Sequence, residues 1–259
     1  MKKTLLAPII VLFSIAAIFL ENCKKPDDVF YMGDNHRVIE PEKVDSLAFT
    51  DAEINLIMEG DSADLMRVLT IHTITTDTIT NYEDSLFLRQ ISMDVRADST
   101  DTVLLRLIDR LYTTVMDPNH PGIGIAAPQV GISRNVIWVQ RLDLLGNPYE
   151  VYLNTKITGY SNREVVFNGD ACLSIPGISG RTDRRSAVCV EYDKLDGNHY
   201  VEVVEGWSYT SCTSIIFQHE TDHLNGILFI DRIHENTKLM NTKEYEKFCK
   251  LLGEPVIEI

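Results

Sequence analysis

The 259-residue chain lacks a basic excess: 24 Lys and Arg stand against 38 Asp and Glu, a formal net charge of -14 at pH 7. Without surplus cations to displace counterions from phosphates, nucleic acid is not an expected partner. Paired cysteines are missing too. Cys23, Cys172, Cys189, Cys212 and Cys249 are odd in number and have no close paired spacing, so no disulfide framework follows from them. Nor does the N-terminus hold a full membrane span, because the apolar stretch from Leu5 to Leu20 falls short of the roughly 20 residues a helix needs to cross a bilayer.

What that stretch does have is Lys2 and Lys3 before it and Cys23 shortly after, the layout of a secretory signal, so the chain is expected to be exported. Leu20, three residues before Cys23, resembles a bacterial lipoprotein signal, in which the cysteine is lipidated and becomes the mature N-terminus. An uncleaved N-terminal anchor is the alternative, and an ordinary cysteine after a signal is a third. Either of the first two leaves the domain membrane-anchored, periplasmic or at the cell surface. Residues 1–22 then read as signal sequence, 23–66 as an acidic tether and N-terminal extension, and 67–259 as the catalytic domain. Hydrophobic residues make up 44% of the chain, enough for a packed core.

The chain is organised around His219-Glu220-Thr221-Asp222-His223. Four residues apart on a helix, His219 and His223 face one point and can chelate one metal ion. Glu220 stands beside that point as a base able to take a proton from an activated water. A catalytic site needs a third protein ligand and an open position. Cys172, before an Ile175-Pro176-Gly177 turn, is one candidate, and His234 or Glu235 downstream is the other.

Around this motif the pattern predicts an α+β fold, antiparallel strands about a central metal-binding helix. A helix capped by Asp101 or Thr102 carries the stripe Leu104, Ile108, Leu111 and Val115 and stops at Asp117-Pro118. A weaker helix falls within 52–69. Strands are expected over 68–80, 135–140, 150–153, 187–192 and 199–204, and a closing helix over 238–252. His72 and His120 read as solvated.

Three stretches carry a resemblance: Gly122-Ile123-Gly124-Ile125-Ala126-Ala127-Pro128-Gln129, Gly169-Asp170-Ala171-Cys172-Leu173-Ser174, and Gln218 through Gly226. In this order they resemble the motifs of the peptide deformylases, over about 84–233, with Asp170-Ala171 where the family reads Glu-Gly. The resemblance implies Cys172, His219 and His223 as ligands of one divalent ion, commonly ferrous iron in the family, with zinc a close alternative and nickel possible. It implies Glu220 as base, and the Gln129 side chain and the Leu173 N–H as donors to the developing oxyanion. Substrate would meet Ile123, Gly124, Ala171, Ile215 and Ile216. The implied reaction is hydrolysis of the formyl amide on an N-terminal methionine, by a monomer acting on formylated peptides. A metallo-amidase or peptidase of other substrate, and a surface lipoprotein that binds with little turnover, are the rival readings. Arg184 is placed to pair with Asp222 or to face solvent.

Overall fold

The computed structural model describes residues 46–71, 81–208, 210–235 and 240–241. In chain order its elements are helices α1 (Asp51–Met58), α2 (Tyr82–Phe87) and α3 (Thr102–Val115), and strands β1 (Gly124–Ala126), β2 (Val136–Gln140), β3 (Tyr149–Tyr160), β4 (Glu164–Ala171), β5 (Ile178–Arg185), β6 (Ala187–Asp193) and β7 (His199–Glu205). Helix α4 (Thr213–Leu224) and strand β8 (Met240–Asn241) follow. The chain divides into two units, residues 1–43 and 44–259, and every described element belongs to the second. Among the described residues no helix is long and apolar enough to cross a membrane.

Five strands form an antiparallel sheet in the order β1-β2-β3-β6-β7, and β4-β5-β8 form a second sheet. Both expected hairpins of the first sheet are present. Gly146 and Asn147, with φ of 85° and 48°, turn β2 into β3, and Gly197 at 78° turns β6 into β7. Inward-facing Ile137, Val139, Tyr152, Val188, Val190 and Val204 share one apolar cluster with Ile215, Ile216 and Phe217 of α4. On the other side Leu104, Leu107, Ile108, Leu111 and Val115 of α3 pack with Ile125, Val136 and Leu153. Asp101 caps α3 as expected, its Oδ1 accepting from the N–H groups of Val103 (2.8 Å) and Leu104 (3.2 Å).

Two expectations differ from the structure, and two strands were not expected. Residues 240–241, inside the expected closing helix, instead pair with β5 as β8; the rest of that helix lies outside the described residues, as do Cys23, His72 and 72–80 of the expected strand. Residues 68–71 are not a strand, because their N–H groups go to scattered partners, Gln129 O in a 3-10 turn, the Asp84 carboxylate and Ser174 O, rather than to a neighbouring ladder. Strands β4 and β5 were not legible at all, since their buried face holds Asp170, Thr182 and Arg184 and so breaks the apolar alternation.

Within the segment expected as tether and extension, α1 starts at a capping box in which Glu53 N–H donates to Thr50 Oγ1 (3.3 Å) and Thr50 N–H to the Glu53 carboxylate (2.8 Å). Its Ile57 is buried against α3. Arg134, 1% exposed, binds Glu53 through Nε (2.9 Å) and Nη2 (2.8 Å), donates to the carbonyls of Ser46 and Ala48, and lies over the Phe49 ring. One buried guanidinium thus fastens residues 46–53 to the domain.

Candidate active site

All twelve residues of α4 are buried, polar ones included. A helix enclosed on every side must give each polar side chain a partner or a task. Gln218 meets the first demand, its Oε1 accepting from Arg185 N–H (2.9 Å) and its Nε2 donating to Arg185 O (2.8 Å). His219, Glu220 and His223 meet the second. One ligand atom each from Cys172, His219 and His223 lies within 4.8 Å of the others, and His223 Nε2 is 3.2 Å from Cys172 Sγ. Two imidazoles and a thiol at this spacing fit a divalent transition metal. Cys172 is carried by the end of β4 and fixed by the turn after it, in which Ile175 N–H donates to Cys172 O (2.9 Å) and Gly177 takes φ 72°. His234 is elsewhere, paired with Asp183 (2.7 Å), and neither it nor Glu235 joins the cluster.

The carboxylate of Asp170 holds His219. Its Oδ1 is 2.8 Å from His219 Nδ1, which leaves Nε2 for the metal. Its Oδ2 accepts from Thr182 Oγ1 (2.8 Å) and from Arg184 Nη2 (2.7 Å), and Arg184 Nη1 donates in turn to Asp222 Oδ2 (2.6 Å). Arg184 is buried and paired with both carboxylates, which settles its two readings. Burial alone would raise the Asp170 pKa, but Arg184 and His219 hold it well below the usual carboxylate range. For His223, burial and then the neighbouring His219 push the pKa down, keeping the imidazole neutral as a ligand must be.

Glu220 differs. Burial pushes its carboxyl up to about 7, and its Oε2 has no partner among the described residues. A Cβ placed on Gly124 would stand 2.5 Å from Glu220 Oε1 and 2.9 Å from Ile216 Cγ2, so the missing side chain seats the carboxylate. Across the cleft, Gln129 Oε1 accepts from Ala126 N–H (2.8 Å), which turns Nε2 toward Cys172 Sγ and Ser174 Oγ, both at 3.4 Å. The cleft is lined by every expected substrate contact, Ile123, Gly124, Ala171, Ile215 and Ile216, together with Gln129, Leu173 and Glu220.

Phe167 and Cys212 also line it and were missed by the sequence reading. Cys212 is four residues before Ile216, so helical spacing extended backwards one turn would have found it. Burial pushes its thiol up to about 11. Phe167 had no such signal, because the bulge between Asn168 and Asp170 shifts the register of β4.

A buried Glu beside a Cys-His-His donor set, in an apolar cleft within an α+β frame, defines a metal-dependent hydrolase. The comparisons narrow the class. The polypeptide deformylase family model matches residues 76–239. Peptide deformylase 2 of Nostoc sp. is 37% identical over 153 residues, covering 57% of this chain and 81% of that protein. The peptide deformylase of Rhizobium meliloti is 34% identical over 174 residues, covering 66% and 92%. Among solved structures, the peptide deformylase of Thermotoga maritima superposes with a TM-score of 0.53 at 30% identity, covering 66% of this chain and 99% of its own. That of Synechococcus elongatus in complex with actinonin gives 0.53 at 28%, covering 74% and 87%. The chain belongs to the polypeptide deformylase family, and it is a metallohydrolase that removes the formyl group from N-terminal formyl-methionine of peptides.

Proposed function

We propose that this chain is an exported, membrane-anchored deformylase that trims formylated peptides outside the cytoplasm, acting as a monomer with ferrous iron as its native ion and zinc as its substitute. One observation carries the mechanism: the buried Glu220 carboxylate, its Oε2 without a partner among the described residues, stands beside three metal donors. Cys172, His219 and His223 hold the ion. When bound, a divalent metal there polarises the formyl oxygen and acidifies water. Glu220 takes the proton of the attacking water and passes it to the departing amide nitrogen, so that formate and a free N-terminal amine are released. Gln129 Nε2, oriented by Ala126 N–H, and the Leu173 N–H donate to the developing oxyanion, a contribution on the order of 3 kcal/mol per donor. Ile123, Ile215, Ile216, Phe167 and Cys212 surround the first side chain of the peptide, with Ala171 and Gly124 along its backbone.

Iron is preferred because the family commonly uses it, and two imidazoles with a thiolate suit it as well as zinc or nickel. Export and anchoring are supported by Lys2, Lys3, the apolar run 5–20 and Cys23. Formate release from a formyl-Met peptide, by protein purified anaerobically and loaded with ferrous iron, tests the activity. Glu220→Gln should lower turnover by about 10² to 10⁴-fold while leaving metal bound; undiminished turnover would refute the role of Glu220. Fatty-acid labelling that disappears in Cys23→Ala tests the anchor, and labelling that persists rules out Cys23 as the lipidated residue.

A further inference from the structure

A short 3-10 turn over Ala127–Val130, which carries Gln129, and the loop from Cys172 to Ser174 meet at the cleft through the Gln129 side chain. Gln129 Nε2 reaches Cys172 Sγ at 3.4 Å, an ordinary distance to sulfur, and Ser174 Oγ at 3.4 Å, which is long for an N–H···O bond. Shorter bonds join both to a third segment. Leu69 N–H donates to Gln129 O at 2.7 Å, and Ile71 N–H donates to Ser174 O at 2.9 Å. In an extended chain residues two apart present their N–H groups on the same side, so a single run of three residues spans the turn and the loop.

The intervening Thr70 N–H points the other way, to Asp84 Oδ2 (3.1 Å), and the same carboxylate takes Arg67 through Nη1 (2.9 Å) and Nη2 (2.7 Å). Upstream, Met66 N–H donates to Thr114 Oγ1 of α3 (3.0 Å). The side chains of Leu69 and Ile71 are buried in the cluster that contains Cys172 and Ile175. All of residues 66–71 precede the residues matched by the family model.

We propose that residues 66–71 are a strap that sets the spacing between Gln129 and the Cys172 loop, with Leu69 and Ile71 as positioning residues of the hydrolytic site. This rests on the reading of Gln129 and Cys172 given above. The strap acts through backbone N–H groups, so its effect is on where the donor and the thiol stand, not on their chemistry.

The test compares two variants of the full chain. Leu69→Ala keeps the N–H and loses packing; Leu69→Pro loses both. Each is loaded with cobalt, and two quantities are read: formate release, and the thiolate-to-cobalt charge-transfer band, which reports the Cys172 geometry independently of turnover. The wild-type protein separates the two levels of inference, since absent turnover there strikes the deformylase reading and leaves the band to judge the strap. The expected result is that kcat of Leu69→Pro falls about tenfold or more below that of Leu69→Ala, the scale on which a misplaced catalytic group is felt, with the band shifted because Gln129, released from Leu69 N–H, no longer holds Nε2 against Cys172 Sγ. KM should change less than kcat, because the strap bonds Gln129 O and Ser174 O and leaves Ile123, Ile215 and Ile216 of the pocket untouched. Folded Leu69→Pro with the kcat of Leu69→Ala and an unshifted band overturns the proposal. If Leu69→Pro does not fold, an amide-to-ester exchange at Leu69 removes the same N–H without fixing φ, and the same outcomes decide.

Discussion

The two sheets that α4 packs against meet it differently. The five-stranded sheet meets the helix with Ile137, Val139, Tyr152, Val188, Val190 and Val204, all apolar and all in one cluster. The three-stranded sheet adds Phe167 to that cluster, but its distinctive contact is Asp170, Thr182 and Arg184, buried and bonded to one another and to His219 and Asp222 of the helix. Apolar packing is tolerant, because a slightly smaller side chain loses only part of its burial. An ionic lattice is not, because removing one member strands the charges of the others away from water. The metal ligand His219 is oriented by the intolerant side.

Four experiments break or sharpen this contrast. Arg184→Met should have the largest effect, destabilising by about 3 to 5 kcal/mol in thermal denaturation, since Asp170 and Asp222 would both lose their buried cation. Next is Glu220→Gln in metal-free protein. The folded pKa of about 7 lies above the unfolded 4.5, so the folded state holds the extra proton between these values and stability falls as pH rises through them. The deficit, on the order of 3 kcal/mol, is complete above pH 7, and the variant should relieve it at pH 8 and show no advantage below about pH 4.5. An advantage that persists in acid would show that packing, not charge, is responsible.

Asp170→Asn should weaken metal affinity about 10- to 100-fold by loosening His219, measured by chelator competition. Smallest is Ile137→Val on the apolar sheet, expected to cost about 0.5 to 1.5 kcal/mol with metal affinity unchanged. If Ile137→Val equals Arg184→Met, the two sheets do not differ in the way their contacts imply.

The same contrast explains what could be read from the residues alone. Helix α3 was legible from Asp101 and its apolar stripe, and β2, β6 and the start of β3 from alternation, because each buries an apolar face; β7, which buries only Val204, was legible from its β-branched residues and the turn at Gly197. The metal cluster was legible because the spacing of His219 and His223 is itself geometry, and Cys172 followed from the family motif. Strands β4 and β5 were not, for a charge on a core face looks like a charge on a surface until its partner is known. The same blindness left Arg184 undecided and hid Asp170 as the group that turns His219. Arg134, which fastens the segment 46–53, was invisible for that reason too, its partners lying 81 to 88 residues away in sequence.

The complete enclosure of α4 also bears on how such a site would come apart. An element buried at every position exchanges its amide hydrogens only when the whole domain opens, whereas a loop at the end of a strand opens by local fluctuation. His219 and His223 therefore ride on an element that opens only with the domain, while Cys172 stands just past the end of β4, in a turn that can move without unwinding the helix. Of the three side chains that would hold an ion, two are thus tied to one rigid helix and to each other's spacing, and only the thiol has a backbone of its own.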